Sequence, residues 1–551
     1  MATKLVYLEG SSPEATLCPV DIERLETLDK LKDHIASIFS VAEAGSISFH
    51  SESGLLTSID EINRTVAKIG VRVDNQVIRE PHGPRELPFV GNYFEIHPDH
   101  IGNHERLFHR YGNVIKTVVM GRTVYLTNDP RVAKVVFGEN EFFTKMPSDF
   151  NHPLFSMNNN VALFIGDTTS PAFKLAHKFI PPSMSTNAAQ RYMPILQNAV
   201  QDSFTVFDQL DGRQAAWNTY QYMLKLSGQV MTKVVLGMDV DHFDTVDTQL
   251  HEIVRLIGDY VLLGRTSSLS LPCLKYLPFS SARRLSVTTH RLISLLDQAA
   301  AAWPLPGAPD LPIPKAAVQS TCITDYLKRA VDEKNEKLPH EYLIPNIAVV
   351  LAAGISTTSS MLSYILYLLA RYPDTQTKIF QEVVDNNVTP TTPWAYDTLM
   401  SLPYLDHFVK EALRLHGPAF QPARNAKKDV IVPGAYRIPA GAVVNPLFSS
   451  LHRNGDYWDN PGRFDPDRWM AADVKKHRMA YTPFAAGPRG CVGFNIAHLE
   501  LRLVVALLVY RYEFVDVSAE PMRYDPEYLL DRLMNCYVRA IKRTTRPGKE
   551  L

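Results

Sequence analysis

The chain has 551 residues, with 57 Lys+Arg against 58 Asp+Glu and a formal net charge of -1. That length exceeds what one hydrophobic core usually supports, so a large domain with a smaller companion is expected. The balanced charge gives no general electrostatic drive toward nucleic acid or an anionic membrane, and neither is expected as a partner on that ground.

Residues 1–80 open with strand-like alternation at Leu5 and Tyr7. A helical stripe follows at Leu25, Leu28, Leu31, Ile35 and Ile38, then further strand patterns at Ile47 and Phe49 and at Ile69, Val71 and Val73. A small α+β N-terminal domain is expected, and its order resembles a ubiquitin-like β-grasp domain. It would bind a partner or position the rest of the chain; a stabilising extension is the alternative.

Pro81, Pro84 and Pro88 then predict a stiff extended joint. Residues 81–551 read as one second domain, mainly α with small β-sheets. Strand-like pieces fall at Val114–Val119 with Thr123–Thr127, and from Val430 to Val444. The polar N-terminus does not read as a signal peptide, and no stretch is expected to supply the roughly 18 apolar residues of a transmembrane segment. Cys18, Cys273, Cys322, Cys491 and Cys536 are scattered, without C-x-x-C pairs, which suits a reducing compartment.

The most specific segment is Phe484-Ala485-Ala486-Gly487-Pro488-Arg489-Gly490-Cys491-Val492-Gly493. A lone cysteine among glycines, followed by an apolar helix from about Phe494, suits an axial thiolate ligand to haem iron. Gly487, Gly490 and Gly493 would let the chain turn and approach a flat ring, and the first helical turn would aim N–H groups at the sulfur. Arg489 would meet a haem propionate. Phe484, Gly487, Arg489, Cys491 and Gly493 together resemble the haem signature of the cytochrome P450 family.

That resemblance implies a haem b cofactor with Cys491 as its metal ligand, and three further motifs extend it. Glu411 and Arg414, three apart on a helix from Leu402 to His416, lie on one face. With Arg468 of the segment Pro461-Gly462-Arg463-Phe464-Asp465-Pro466-Asp467-Arg468-Trp469 they match the family's buried charge network. In the long helix of about 339–371, Gly354 and the hydroxyl run from Ser356 make a small groove. In the family this groove faces bound dioxygen, and Thr357 matches the threonine that relays protons. The family's usual acid before that threonine is Ser356 here, and a hydroxyl is no acid reservoir at neutral pH.

The stretch from Leu163 to Lys178 resembles the segment that approaches haem in bacterial and fungal fatty-acid hydroxylases, with no reductase fused to this chain. It implies a propionate bond from His177 and a pocket-shaping role for Phe164, with Phe173 where a tryptophan is usual. Arg122 and Tyr125 lie close to the positions that anchor a fatty carboxylate in those relatives. Lys475, Lys476 and Arg478 precede the haem loop and could meet an acidic redox partner.

The expectation is a haem-thiolate monooxygenase acting on a lipophilic small molecule, a fatty acid or a secondary metabolite. NADPH would supply electrons through a separate flavoprotein reductase or other redox partner, in the cytoplasm or peripherally at the endoplasmic reticulum membrane. Two alternatives stay open: peroxide-driven oxidation or isomerisation of oxidised lipids, which Ser356 keeps alive, and a haem-binding sensor or scaffold.

Overall fold

The computed structural model describes residues 3–22, 25–158, 161–270, 277–386, 389, 394–419, 422–471, 478–546 and 549–550. The chain forms two compact units, one of residues 1–152, 421–454 and 478–489, the other of 153–420, 455–477 and 490–551.

The first unit begins with β1 (Thr3–Leu8), β2 (Cys18–Asp21), α1 (Leu28–Phe39), β3 (Ile47–Ser51), β4 (Gly54–Leu56) and β5 (Ile69–Val73). Thr27 caps α1 by accepting from the Lys30 N–H, and Ser40 ends it in a left-handed conformation. The strands lie in the order β2-β1-β5-β3-β4, with β1 parallel to β5 and the other pairs antiparallel. Alternation along the strands sends Val6, Leu8, Phe49, Val71 and Val73 to the face that also receives Leu31 and Ile35 of α1.

The same unit continues with β6 (Val114–Val119), β7 (Arg122–Thr127), α2 (Pro130–Phe137) and β8 (Phe143–Thr144). After the excursion into the second unit come β9 (Arg424–Ala426), β10 (Val430–Val432), β11 (Tyr436–Ile438) and β12 (Val443–Pro446). A five-stranded sheet runs β6-β7-β12-β9-β8, and β10 and β11 form a hairpin. That hairpin completes the N-terminal core, because Ile431 and Ala435 are buried in the same cluster as Val6 and Ile35. Backbone bonds reinforce the union: Ala42 N–H donates to Ile431 O, Arg79 N–H to Ala435 O and Arg437 N–H to Arg79 O, each at 2.9 Å. Asp74 Oδ2 accepts from the Gly434 N–H and pairs with Arg131 Nη1, both at 2.8 Å.

The second unit is mainly helical. It contains α3 (Pro171–Phe179), α4 (Thr219–Leu236), α5 (His340–Arg371), α6 (Pro403–His416) and α7 (Phe494–Arg511). Asn218 caps α4 through the Gln221 N–H at 3.1 Å. Helix α5 packs along α4 and also meets α6 and α7, which is why its sequence is apolar nearly all round. Helix α5 is long and apolar enough to cross a bilayer by length and composition, and 83% of that apolar window is buried inside the protein. Its apolarity serves packing. Tyr364 of α5 stacks on His416 at the end of α6, ring centroids 4.6 Å apart.

Because Ile431 closes the N-terminal core, Ile431→Ala is expected to cost about 2–5 kcal/mol. Chemical denaturation followed at both an N-terminal and a hairpin probe should show one shared transition; a hairpin shift with no N-terminal shift would show the two to be energetically separate.

Candidate haem site

The chain leaves the first unit at Arg489 and enters the second at Gly490, one residue before Cys491. Cys491 offers accessible surface yet is surrounded by protein. Burial pushes its thiol up, while the N–H groups of Gly493 and Phe494, at the start of α7, pull it down. The helix start is thus aimed at the sulfur, as its sequence suggests. Gly493 itself has an ordinary φ of -84°, and an added Cβ would stand 4.0 Å from Cys491 Sγ, so the backbone does not demand glycine there. Gly487 differs: its φ is +71° and a Cβ would run into the carbonyl oxygen of Phe137 in α2. Two residues earlier Ala485 also adopts a positive φ, +58°, in a turn whose N–H donates to Thr482 O at 2.9 Å. Phe484 is half-buried in this first-unit segment.

In α5, Thr357 Oγ1 donates to Ala353 O at 2.7 Å, the back-bond expected of a mid-helix threonine. Ala353 is exposed and Thr357 partly so, whereas Ser356 is buried, since successive helical residues point about 100° apart. Gly354 has a packing explanation in place of the groove expected from sequence. A Cβ there would run into the Met231 side chain of α4.

The charge network is built as the motif implies. Arg414 Nε and Nη2 donate to the two oxygens of Glu411 at 2.9 and 2.8 Å, and both side chains are fully buried. Arg468 Nε reaches Glu411 Oε1 at 3.3 Å, joined by the Asp465 N–H at 3.0 Å, while Trp469 Nε1–H donates to Oε2 at 3.0 Å. Arg414 spends its remaining donors on the carbonyls of Pro461 and Arg463.

Sequence reasoning missed a cluster of cations in the first unit. Arg424 is 1% exposed, pairs with Glu139 at 3.1 Å and donates Nη1 to Ala423 O at 3.0 Å, leaving Nη2 buried without a hydrogen-bond partner. Burial drives its guanidinium down to about 10. Lys145 is held well below its ordinary range by burial, then by the charges of Arg489 and Arg424. His152 is likewise depressed by burial and then by Lys145, and its Nε2 faces Ala423 O at 3.4 Å. A buried guanidinium with one nitrogen left over, close to the basic Lys145 and Arg489, suits an anionic oxygen. Taken unit by unit, the residues fit haem: in the first, Arg489, Lys145 and Arg424 would suit its acid side chains, and in the second, Cys491 would suit its iron. A lysine within Phe142-Phe143-Thr144-Lys145 was the one available sequence signal, a charge in an apolar run.

The remaining candidates divide. Phe164 is 48% exposed between buried Leu163 and Ile165, so it is not a core side chain. Its loop is tied to α5 by buried Asn346, another residue missed, whose Oδ1 accepts from the Leu163 N–H at 2.8 Å. His177 lies exposed on α3 against Phe173, ring centroids 5.4 Å apart. Arg122 and Tyr125 are not brought together. An odd spacing in β7 puts them on opposite faces: Tyr125 is in the core with Val132 and Val136, while Arg122 lies 4.7 Å over the Phe150 ring. Of the three basic residues before the haem loop, Lys475 and Lys476 lie outside the described residues and Arg478 is exposed.

A cytochrome P450 family model matches residues 81–533. Over 553 aligned residues the chain is 44% identical to the cytochrome P450 monooxygenase alnD of Emericella nidulans, covering 100% of each chain. Thromboxane-A synthase of Sus scrofa is 24% identical across 84% of this chain and 91% of its own length. The crystal structure of the cytochrome P450DA heme domain superposes with a TM-score of 0.75 at 23% identity, covering 86% of this chain and all of that one. The motifs, the helical fold and these matches define a haem-thiolate oxidoreductase. The chain belongs to the cytochrome P450 family.

Breaking the buried network with Glu411→Ala should cost about 3–5 kcal/mol, because it strands the Arg414 guanidinium. Equilibrium unfolding checks this, and Arg414→Lys should fail to restore a bidentate pair. A second expectation concerns Glu500 of α7, buried beside Ser227 Oγ at 3.2 Å and pushed up to about 8 by burial. A raised carboxyl holds its proton in the folded state after the unfolded chain has lost it. Stability therefore falls as pH rises from about 4.5 to about 8, by at most about 1.4 kcal/mol per pH unit. Glu500→Gln should flatten that decline in pH-dependent melts.

Proposed function

We propose that this cytochrome P450 monooxygenase inserts one atom of dioxygen into a lipophilic small molecule, with electrons delivered from NADPH by a separate flavoprotein reductase. The observation that carries the reading is that Cys491 stands at the start of α7 with the Gly493 and Phe494 N–H groups on its sulfur, in the unit whose α5 carries Thr357. Bound haem would supply dioxygen activation and C–H oxidation.

The chain's own residues would do four things. Cys491 binds the iron, its sulfur steadied by the Gly493 and Phe494 N–H groups. Arg489, Lys145 and Arg424 neutralise the acid side chains of the cofactor, and His177 on α3 adds a further donor. Thr357 keeps its hydroxyl proton on Ala353 O and offers its oxygen lone pairs to a proton donor. Phe164 shapes the substrate's surroundings. Residues 1–80 would act as a ubiquitin-like β-grasp module that positions the haem-binding chain; the strand order and the shared core with Ile431 support that role. The protein would work in the cytoplasm or peripherally at the endoplasmic reticulum membrane.

The substrate class stays at lipophilic, whether acyl chain or secondary metabolite, because the divergence of Arg122 and Tyr125 withdraws geometric support from a carboxylate clamp. Ser356 supports a second reading, peroxide-driven oxidation or isomerisation of an oxidised lipid, which requires no acid at that turn.

Spectral titration of the haem-loaded protein with a lipid and metabolite panel, followed by turnover in labelled dioxygen, tests the proposal. One labelled oxygen atom in the product, dependent on NADPH and a reductase, is expected. Equal turnover with hydrogen peroxide alone would favour the second reading. Tyr125→Phe should leave long-chain fatty-acid affinity within about twofold of the parent protein, since its hydroxyl sits away from Arg122.

A further inference from the structure

Ser356, the hydroxyl where a carboxyl group is missing, points into a buried cluster of other hydroxyls. Helix α5 carries Ser356, Ser360 and Ser363 at i, i+4 and i+7, on one buried face. Ser363 Oγ bonds Thr219 Oγ1 at 2.8 Å at the start of α4, and the next residue is Tyr220, 8% exposed. A hairpin near the C-terminus completes the cluster, held by Asp525 N–H to Arg532 O and Met534 N–H to Arg523 O, each at 3.0 Å. Within its loop Tyr528 is 0% exposed.

Tyr528 Oη is close enough to interact with Ser356 Oγ and Tyr220 Oη. The Arg532 guanidinium lies 4.0 Å over the Tyr528 ring and 5.2 Å from that of Tyr220, and pairs with Asp525 at 2.6 Å. Yet the hydroxyls of Ser356, Ser360, Tyr220 and Tyr528 are all buried without closing a hydrogen bond of good geometry. Leaving several such groups together is costly and calls for an explanation, of which a catalytic role is one. Hydroxyls both donate and accept, so a run of them can pass a proton where a carboxylate is absent.

We propose that Tyr220, Tyr528 and Ser356 form a hydroxyl relay that carries a proton from the Arg532–Asp525 edge, where the Arg532 side chain is 23% exposed, to the α5 turn bearing Thr357. The relay rests on the monooxygenase reading, which requires proton delivery at that turn. A hydronium at the edge gives up its proton and becomes water. Each hydroxyl oxygen, Ser356 included, forms one O–H bond and breaks one, so the proton that leaves Ser356 passes to an acceptor at the α5 turn; no electrons move. Burial keeps the Tyr528 phenol neutral. Arg532 stays charged and orients the two rings by its position over their faces. Tyr528 acts through Ser356 and is a positioning residue.

The test uses dioxygen itself as probe. Haem-loaded protein with NADPH and a flavoprotein reductase reduces dioxygen to hydrogen peroxide with NADPH and one proton consumed, and oxygen uptake is followed in H2O and D2O. Tyr528→Phe and Ser356→Ala should each slow uptake roughly a hundredfold, the lower end of what one proton-transfer group contributes. Each should raise the solvent isotope effect and leave the haem absorbance unchanged, and Ser356→Asp in the Tyr528→Phe background should restore the rate. In the apoprotein, melting shifts of the two single variants should be non-additive in the double variant. Additive shifts would overturn the contact. Unchanged uptake and isotope effect in Tyr528→Phe, with an active parent protein, would overturn the relay alone, whereas a parent protein that consumes no oxygen with NADPH would overturn the monooxygenase reading and the relay with it.

Discussion

The Glu411 carboxylate organises the second unit more than any other single group. Fully buried, it receives both arms of Arg414, the Arg468 and Trp469 side chains and the Asp465 N–H. A carboxylate in such surroundings persists only when every lone pair is answered, and here each answering group comes from α6 or from the segment 459–469. Arg414 then binds the carbonyls of Pro461 and Arg463, so the network fixes backbone as well as side chains. The second unit, which also carries Cys491, thereby gains an anchor with no sliding freedom. Hydrophobic contacts alone, being non-directional, would not define that starting point.

The electrostatics of the two units are biased in complementary senses when each is taken by itself. The first unit buries Lys145, His152 and Arg424 near Arg489, and burial, reinforced for Lys145 and His152 by neighbouring positive charge, lowers the basicity of all three. The second holds a thiol whose burial disfavours the thiolate, offset in part by two N–H donors. In each unit an oppositely charged group would relieve the bias, an anion in the first and a metal cation in the second, and the cost to the protein alone would then become part of the binding affinity, since whatever binds only the folded state stabilises it.

Much of this was legible because it depended on local pattern. The periodicities of α5, α6 and α7, the Glu411–Arg414 spacing and the glycine at 487 are properties of short windows, where side-chain direction follows from helix or turn geometry. What escaped depends on chain segments far apart. Arg424 and Lys145 meet across a sheet whose pairing of β9 with β8 no window reveals, and Tyr528 reaches Ser356 across more than a hundred residues. Arg122 and Tyr125 show the converse. Both lie in one correctly placed strand, but a spacing of three reverses the face, so proximity in sequence misled about proximity in space. Gly354 was read as a groove because its small size was visible and Met231, the neighbour that uses the space, was not.

The N-terminal eighty residues separate two meanings of a domain boundary. The family model begins at residue 81, where the prolines stiffen the chain, yet the core of the preceding module is closed by Ile431 and Ala435 and its edge is hydrogen-bonded to the same hairpin. A recurring sequence unit can begin at 81 without folding cooperatively from 81, because cooperativity follows shared buried surface and not ancestry. The full-length match to alnD, which spans this module as well, accords with two segments kept together. A partner-recruiting module on a free tether would need a core of its own. This one borrows two side chains from the haem-binding chain and answers with Asp74 across to Arg131, and so behaves as a wall of the larger unit.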